Sequence, residues 1–160
     1  MNRSYSDVSV ETVKSLDLEK YKGAWYTIAY LPNGYQDDCL SSIAFYILLD
    51  GKMAIRNYCV ADNKVIREIR GEIYPKKSRE PGKLKVKFDG FFFNREGDYW
   101  IHDTDYTRYS LVGDGRGENF WILARTESID IKLYRVLINR ARELGYNTSL
   151  FRVGPHAILG

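Results

Sequence analysis

The densest chemistry in the chain lies in GDYWIHDTDYTRYS, residues 97–110, where His102, Asp103, Thr104, Asp105 and Tyr106 are consecutive. An imidazole beside two carboxylates is the raw material of a metal site or of a general acid/base cluster. A zinc centre needs three or four converging ligands, and the whole chain offers two His and two Cys. Asp105 fits a different role, and that role is the favoured one. At a tight turn an aspartate carboxylate accepts hydrogen bonds from backbone N–H groups just downstream. On that reading the cluster is a corner of the fold, and the expectation is no catalytic residue, no metal and no cofactor.

The elements that must carry these residues are mostly strands. The chain has 160 residues, 44% of them hydrophobic, which suits one domain spanning 1–160. A net charge of +3 is too mild to argue for nucleic acid. No apolar run approaches the roughly 18 residues that span a bilayer. The first stretch, MNRSYSDVSVETVKSLDLEK, lacks the apolar segment of a secretory leader. LKVKFD (84–89) alternates strictly, with Leu84, Val86 and Phe88 on one face and lysines on the other. SIAFYILLDGKMAIRNYCV (42–60) predicts two strands around an Asp50-Gly51 hairpin turn. Further segments at 23–32, 65–74, 98–103, 108–114 and 119–126 bring the total to about eight, as in an antiparallel up-and-down barrel or a sandwich. One amphipathic helix follows over about 128–144. Ser128 is its expected cap, Ile131, Tyr134, Ile138 and Ala141 its apolar stripe, and Gly145 its terminator. A lone helix after so many strands belongs on the outside of the barrel, with 145–160 as an extension.

Three motifs in order then carry a resemblance. LDLEKYKGAWYTIAYLP, with Gly23 and Trp25 at the start of the first strand, resembles the first signature of the lipocalins. DTDY (103–106), with Thr104, Asp105 and Tyr106, resembles their second, and Arg125 at the end of FWILART their third. The match runs from about Leu16 to Phe151 and is most like the bacterial lipocalins of the outer-membrane lipoprotein type, more distantly like apolipoprotein D. The resemblance implies an all-β, eight-stranded antiparallel up-and-down barrel over about 21–126 with one C-terminal helix outside. It implies that Trp25 plugs the closed end, that Arg125 crosses over its ring, and that Gly23 allows their approach. It puts Tyr99, Ile101 and Asp103 on the inner face and turns His102 outward.

Alternation anchored at Trp25 and Arg125 then assigns the inward positions. These are Thr27 and Ala29; Ala44, Tyr46 and Leu48; Met53, Ile55 and Asn57; Ile69 and Ile73; and Val86 and Phe88. Tyr99, Ile101, Ser110, Val112, Asn119, Trp121 and Leu123 complete the ring. The lining is apolar and aromatic with a few hydroxyls and amides, suited to an aliphatic chain with a polar end. These side chains could instead fill a solid core, but the small Ala29, Ala44, Gly71 and Ser110 leave room. The resemblance favours a fatty acid or lysophospholipid as ligand.

Phe91, Phe92 and Phe93 fall in a loop at the open end, where they either cover the mouth, touch a membrane or partner, or fold back as core. KKSREPGK (76–83) is a basic loop that either meets anionic headgroups or is solvated. Cys39 and Cys59 lie within a small bulge of the hairpin register, so a disulfide is geometrically plausible. With the resemblance, a bridge suggests the periplasm or outer membrane rather than the cytoplasm, with leader and lipidated cysteine outside the present sequence. Three function classes remain: a carrier of a small hydrophobic ligand, a lipid-modifying enzyme, and an interaction module with a filled barrel. The carrier is favoured, as a monomer or weak homodimer.

Overall fold

Short β-propensity runs joined by tight turns and short loops pair most readily with their sequence neighbours, and a meander results. The computed structural model describes residues 8–33, 36, 38–76, 79–89 and 96–160. Its strands are β1 Gly23–Tyr30, β2 Ser41–Leu49, β3 Lys52–Ala61, β4 Lys64–Pro75, β5 Lys83–Phe88, β6 Glu96–Thr104, β7 Tyr109–Gly113 and β8 Phe120–Ala124. Each pairs antiparallel with the next, and β8 returns to β1 through Tyr26↔Ala124 and Thr27↔Leu123. The sheet is a closed eight-stranded up-and-down barrel. Asp50 and Gly51 turn between β2 and β3 with φ of 48° and 78°. Asp62 and Asn63 do the same between β3 and β4 at 52° and 61°. This left-handed pair matches the twist of the flanking strands, and Asp, Asn and Gly tolerate it best.

The wall separates two cores. Inside lie Trp25, Tyr46, Met53, Ile55, Ile73, Tyr99, Ile101, Val112 and Leu123. Outside, Ile28, Ala29, Leu111, Phe120, Ile122 and Ala124 pack against Leu137, Ala141 and Leu144 of the helix α2, Ile131–Glu143, and its C-terminal end. Two bulges feed the outer core. One interrupts the β1–β8 register between Thr27 and Ala29, the other the β6–β7 register between Ile101 and Asp103. Each places consecutive residues on the same side, so simple alternation fails beyond it. Ala29, expected inside, pairs with Ile122 and lies in the outer core. Asp103, also expected inside, pairs with outward Leu111 and sits 3.9 Å from Arg140 of α2.

The helix begins later than Ser128. Ile129–Asp130 (β9) forms a parallel pair with Ile158–Leu159 (β11), which holds the chain extended up to Asp130. Asp130 is the cap, accepting from Lys132 N at 2.7 Å, while Ser128 Oγ donates to the His156 carbonyl. At the other end Gly145, at φ 102°, lets Tyr146 N reach Ala141 O at 3.2 Å and its own N–H reach Arg142 O at 3.0 Å. That is the paired-bond glycine stop expected of a helix end. A second short helix, α1 (Leu18–Tyr21), lies ahead of β1, and Arg152–Val153 (β10) pairs with the far edge of β1.

Phe91, Phe92 and Phe93 lie outside the described residues, as do residues 77 and 78 of the basic loop. In the described part of that loop Lys83 pairs with Glu80 at 2.9 Å and lies 4.4 Å over the Trp100 ring. Cys39 and Cys59 are disulfide-bonded, with Cα atoms 5.3 Å apart. Cys59 faces Ser42 in the β2–β3 ladder, so the bridge ties the chain just ahead of β2 to β3. A loop of this size stabilises by about 3 kcal/mol. Reduction should lower Tm by about 6–12 °C. The fold should survive, and thermal melts followed by circular dichroism with and without reductant would measure both.

Candidate ligand cavity and its closed end

The inner face is not filled along its whole length. A cavity of about 570 Å³ opens at one end of the barrel. Among its lining residues are Thr27, Ala44, Tyr46, Ile55, Asn57, Ile69, Val86, Phe88, Tyr99, Val112, Leu123, Asn119 and Trp121. Met53, Ile101 and Ser110 also face inward, but they lie outside that lining: Met53 and Ile101 belong to the packed inner core, and Ser110 is fully buried, its hydroxyl bonded to Tyr21. Ile73 is likewise core.

A chain of hydroxyls joins the cavity to that core. Tyr46 Oη and Tyr99 Oη are 2.8 Å apart, Tyr99 and Tyr21 3.0 Å, and Tyr21 and Ser110 Oγ 2.8 Å. Burial pushes the Tyr21 phenol up to about 12 and raises Tyr46 and Tyr99 further. All three stay protonated across the physiological range, so they contribute polarity without charge.

The plug lies beyond this chain. Trp25 is fully buried, and the Arg125 guanidinium carbon stands 3.7 Å from its ring centroid. Trp25 Nε1 donates to the Tyr21 carbonyl at 2.8 Å, which also accepts from Arg125 Nη2 at 3.1 Å. Arg125 further donates to the carbonyls of Lys20, Ala24 and Tyr106 at 2.8, 2.8 and 2.9 Å. One side chain thus stitches α1, β1 and the β6–β7 turn together. Gly23 holds φ at 104°, and a Cβ there would lie 3.4 Å from Arg125 Nη1. In the turn, Asp105 Oδ1 accepts from the backbone N–H groups of Thr107, Arg108 and Tyr109 at 3.2, 2.8 and 3.0 Å. Burial alone would raise the Asp105 carboxyl. The N–H donors and the Arg108 side chain outweigh it and hold the group below its ordinary value. Thr104 Oγ1 donates to Tyr109 O at 2.7 Å and accepts from Tyr106 N at 3.0 Å.

His102 points away from the cavity, yet it is not solvated. It lies between Trp100, Phe120 and Tyr146 with 3% of its surface exposed. Its Nδ1 meets the Glu11 carbonyl at 2.6 Å, and a carbonyl can only accept, so Nδ1 carries the proton. Nε2 then accepts from the Tyr146 hydroxyl at 2.7 Å, and the Tyr146 oxygen accepts from Gly115 N at 3.0 Å. The ring is a neutral rivet between β6, the N-terminal segment and the stretch after α2. Gly113 makes the approach possible, since a Cβ there would stand 2.1 Å from Tyr146 Oη. Sequence reading had no signal for this burial, because the partners are 91 and 44 residues away.

Residues of the mouth were also missed. Asn33, Gln36, Ser42, Glu96, Gly97, Asp98, Asp114, Arg116 and Glu118 join the lining. Most lie in loops or at strand ends, where no periodicity reports which way a side chain faces. Asp114 is a turn residue, accepting from the backbone N–H groups of Arg116, Gly117 and Asn119. Asp98 pairs with Lys85 at 2.8 Å.

A closed antiparallel barrel with one helix outside, a plugged end and an open apolar cavity defines the calyx-type binding proteins. The model of the lipocalin-like domain matches residues 16–156. Temperature-induced lipocalin-1 of Arabidopsis thaliana is 33% identical over 157 residues, covering 92% of this chain and 83% of its own. The outer membrane lipoprotein Blc of Vibrio cholerae is 28% identical over 145 residues, covering 88% and 83%. Insecticyanin from the tobacco hornworm Manduca sexta shares the fold at a TM-score of 0.73 and 21% identity, over 91% of this chain and 84% of that one. The chain belongs to the lipocalins.

Two outcomes are expected for the His102–Tyr106 cluster. Asp105→Ala should cost about 1–2 kcal/mol, since it strips acceptors from a partly buried turn. His102→Ala should cost about 2–3 kcal/mol and leave ligand binding intact. Burial lowers the His102 pKa from its ordinary 6.5. The neutral ring's contribution is therefore fully present above pH 6.5 and is lost as pH falls through the lower folded value. Melting curves between pH 5 and 8 should show that acid loss in the parent and a flatter profile in the variant. A well-folded His102→Ala protein that no longer bound ligand would contradict the assignment.

Proposed function

We propose that the barrel binds and carries a small hydrophobic ligand, with a fatty acid or lysophospholipid as the favoured class. One observation carries the reading: a cavity of about 570 Å³, open at one end and lined by Ile55, Ile69, Val86, Phe88, Val112, Leu123 and Trp121. That volume sits within the usual range of small-molecule sites. A hydroxyl-bearing inner end, an apolar middle and a charged mouth suit an aliphatic chain with a polar head.

An enzyme acting on the same lipid is the less supported alternative. The lining hydroxyls of Thr27 and Ser42 bond to each other and to Gln36, with no base beside them among the described residues. His102, the nearest imidazole by sequence to the lining residue Tyr99, is spent on the outer core. An interaction module with a filled barrel fits poorly with the open volume. The Cys39–Cys59 bridge supports an oxidising compartment, with the periplasm or outer membrane as the favoured location. Contact of the open end with a membrane surface, and a monomer or weak homodimer in solution, complete the reading.

Titration with palmitate and with lysophospholipid should quench or shift tryptophan emission saturably, because Trp121 faces the cavity. Ala44→Phe, which adds a ring inside the lining, should weaken binding about tenfold or more. If neither lipid class perturbs the fluorescence of parent or variant, and gently extracted protein carries no lipid by native mass spectrometry, the carrier reading is wrong.

A further inference from the structure

Four hydroxyls meet at the inner end of the cavity, carried by α1, β2, β6 and β7. Tyr46 Oη lies 2.8 Å from Tyr99 Oη, Tyr99 Oη 3.0 Å from Tyr21 Oη, and Tyr21 Oη 2.8 Å from Ser110 Oγ. The row is unbranched, and among the described residues these hydroxyls make no other hydrogen bond. Each hydroxyl brings one proton. Burial raises the pKa of all three phenols, so every proton of the row is in place at neutral pH. The three bonds use three of the four protons. Every oxygen has a partner, and one O–H donor is left over.

Burial decides where that donor points. Tyr21 and Ser110 are fully buried, and neither lines the cavity. A leftover proton on either would be enclosed without an acceptor, at the full desolvation cost of an unmade hydrogen bond. Tyr46 and Tyr99 both line the cavity. If Ser110 donates to Tyr21, Tyr21 to Tyr99 and Tyr99 to Tyr46, the leftover proton sits on Tyr46 at the cavity wall. That order also aligns every O–H in one direction, so each bond polarises the next and the terminal phenol becomes a stronger donor. A proton left on Tyr99 would face the cavity too, but without that alignment. The cross-strand neighbours, Ile55 opposite Tyr46 and Leu84 opposite Tyr99, have no side-chain acceptor to offer.

We propose that the inner end of the cavity is a hydrogen-bond donor site for a neutral oxygen, and that the preferred ligand carries a carbonyl group at the far end of its aliphatic chain, remote from its head. This rests on the lipid-carrier reading above and narrows its ligand class. A carbonyl accepts the leftover proton and brings none, so four protons then make four bonds. A hydroxyl accepts it but brings another, which again lacks an acceptor. A methyl terminus leaves the phenol facing hydrocarbon. An ionised carboxylate would have to shed its water to reach this depth, which directs such a head to the mouth instead.

The test compares four probes with the same carboxylate head and chain length: palmitate, 15-hydroxypalmitate, 15-oxopalmitate and 4-oxopalmitate. Titration should rank 15-oxopalmitate tightest, about three- to tenfold above palmitate, as expected for one net hydrogen bond. The 15-hydroxy acid should gain less, and the 4-oxo acid, whose ketone stays near the head, should not exceed palmitate. Tyr46→Phe combined with Tyr99→Phe removes both lining phenols and should bring the ratio of 15-oxopalmitate to palmitate affinity close to one. With a carbon-13-labelled ketone, the infrared C=O stretch of bound 15-oxopalmitate should fall below its position in hydrocarbon solvent, and return to it in the double variant. If 15-oxopalmitate is not the tightest ligand of the parent, or its preference survives the double substitution, the donor site is refuted while the carrier stands. A ketone stretch that does not move on binding to the parent refutes it equally, with no variant needed. If the parent binds none of the four, the carrier reading falls and this inference with it.

Discussion

The contact on which the rest depends is the Arg125 guanidinium lying on Trp25. A barrel of eight strands has only enough interior for side chains or for one small molecule, so a cavity exists only if one end is sealed without filling the other. Trp25 supplies the bulk of the seal, and Arg125 fixes it from outside with four backbone carbonyls as acceptors. Cation–π attraction at a half-buried guanidinium is worth about 1 kcal/mol. The carbonyl bonds matter as much, because they join α1, β1 and the β6–β7 corner, three segments that no strand ladder connects. Asp105 performs the same service within that corner. The DTDY stretch, chemically the richest in the chain, is consumed by closure.

The barrel also has to present an outer core to α2, and the two bulges do this. At Ile28–Ala29 and at His102–Asp103, consecutive residues turn outward, widening the surface that the helix and the C-terminal segment cover. A bulge leaves one residue out of the ladder, and the gain is burial on the far side of the wall. His102 is the residue left over in β6. With both ring nitrogens hydrogen-bonded, it carries polarity into that core at little cost, provided the ring remains neutral.

The bulges also divide the residues whose positions were legible in the sequence from those that were not. Strands with an uninterrupted period of two, such as 84–88 and 44–48, were placed on the correct faces, and Asp50-Gly51 announced its hairpin. The closing pair Trp25 and Arg125 was legible only through the resemblance, since nothing local links residues a hundred positions apart. Ala29 and Asp103 were misplaced because a bulge has no composition signal and reverses the parity of the residues beyond it. Ser128 was a reasonable cap on local grounds. It lost to Asp130 because pairing of Ile129 with Ile158 kept the chain extended for two more residues. Gln36 could not be found at all, since its role is defined by four partners, Asn33, Ser42, Thr27 and Trp121, brought together by the barrel.

The polar groups around the cavity fall into two kinds, and the difference bears on how the proposed ligand lies. At the inner end, Tyr46, Tyr99, Tyr21 and Ser110 satisfy one another in an unbroken chain, and burial keeps the phenols protonated. A charged headgroup placed there would have to be stripped of water and break bonds already made, a cost of several kcal/mol. At the outer end, Asp98, Arg116 and Glu118 remain near water, where a headgroup loses little hydration. Desolvation therefore directs the aliphatic chain inward and keeps the head at the periphery.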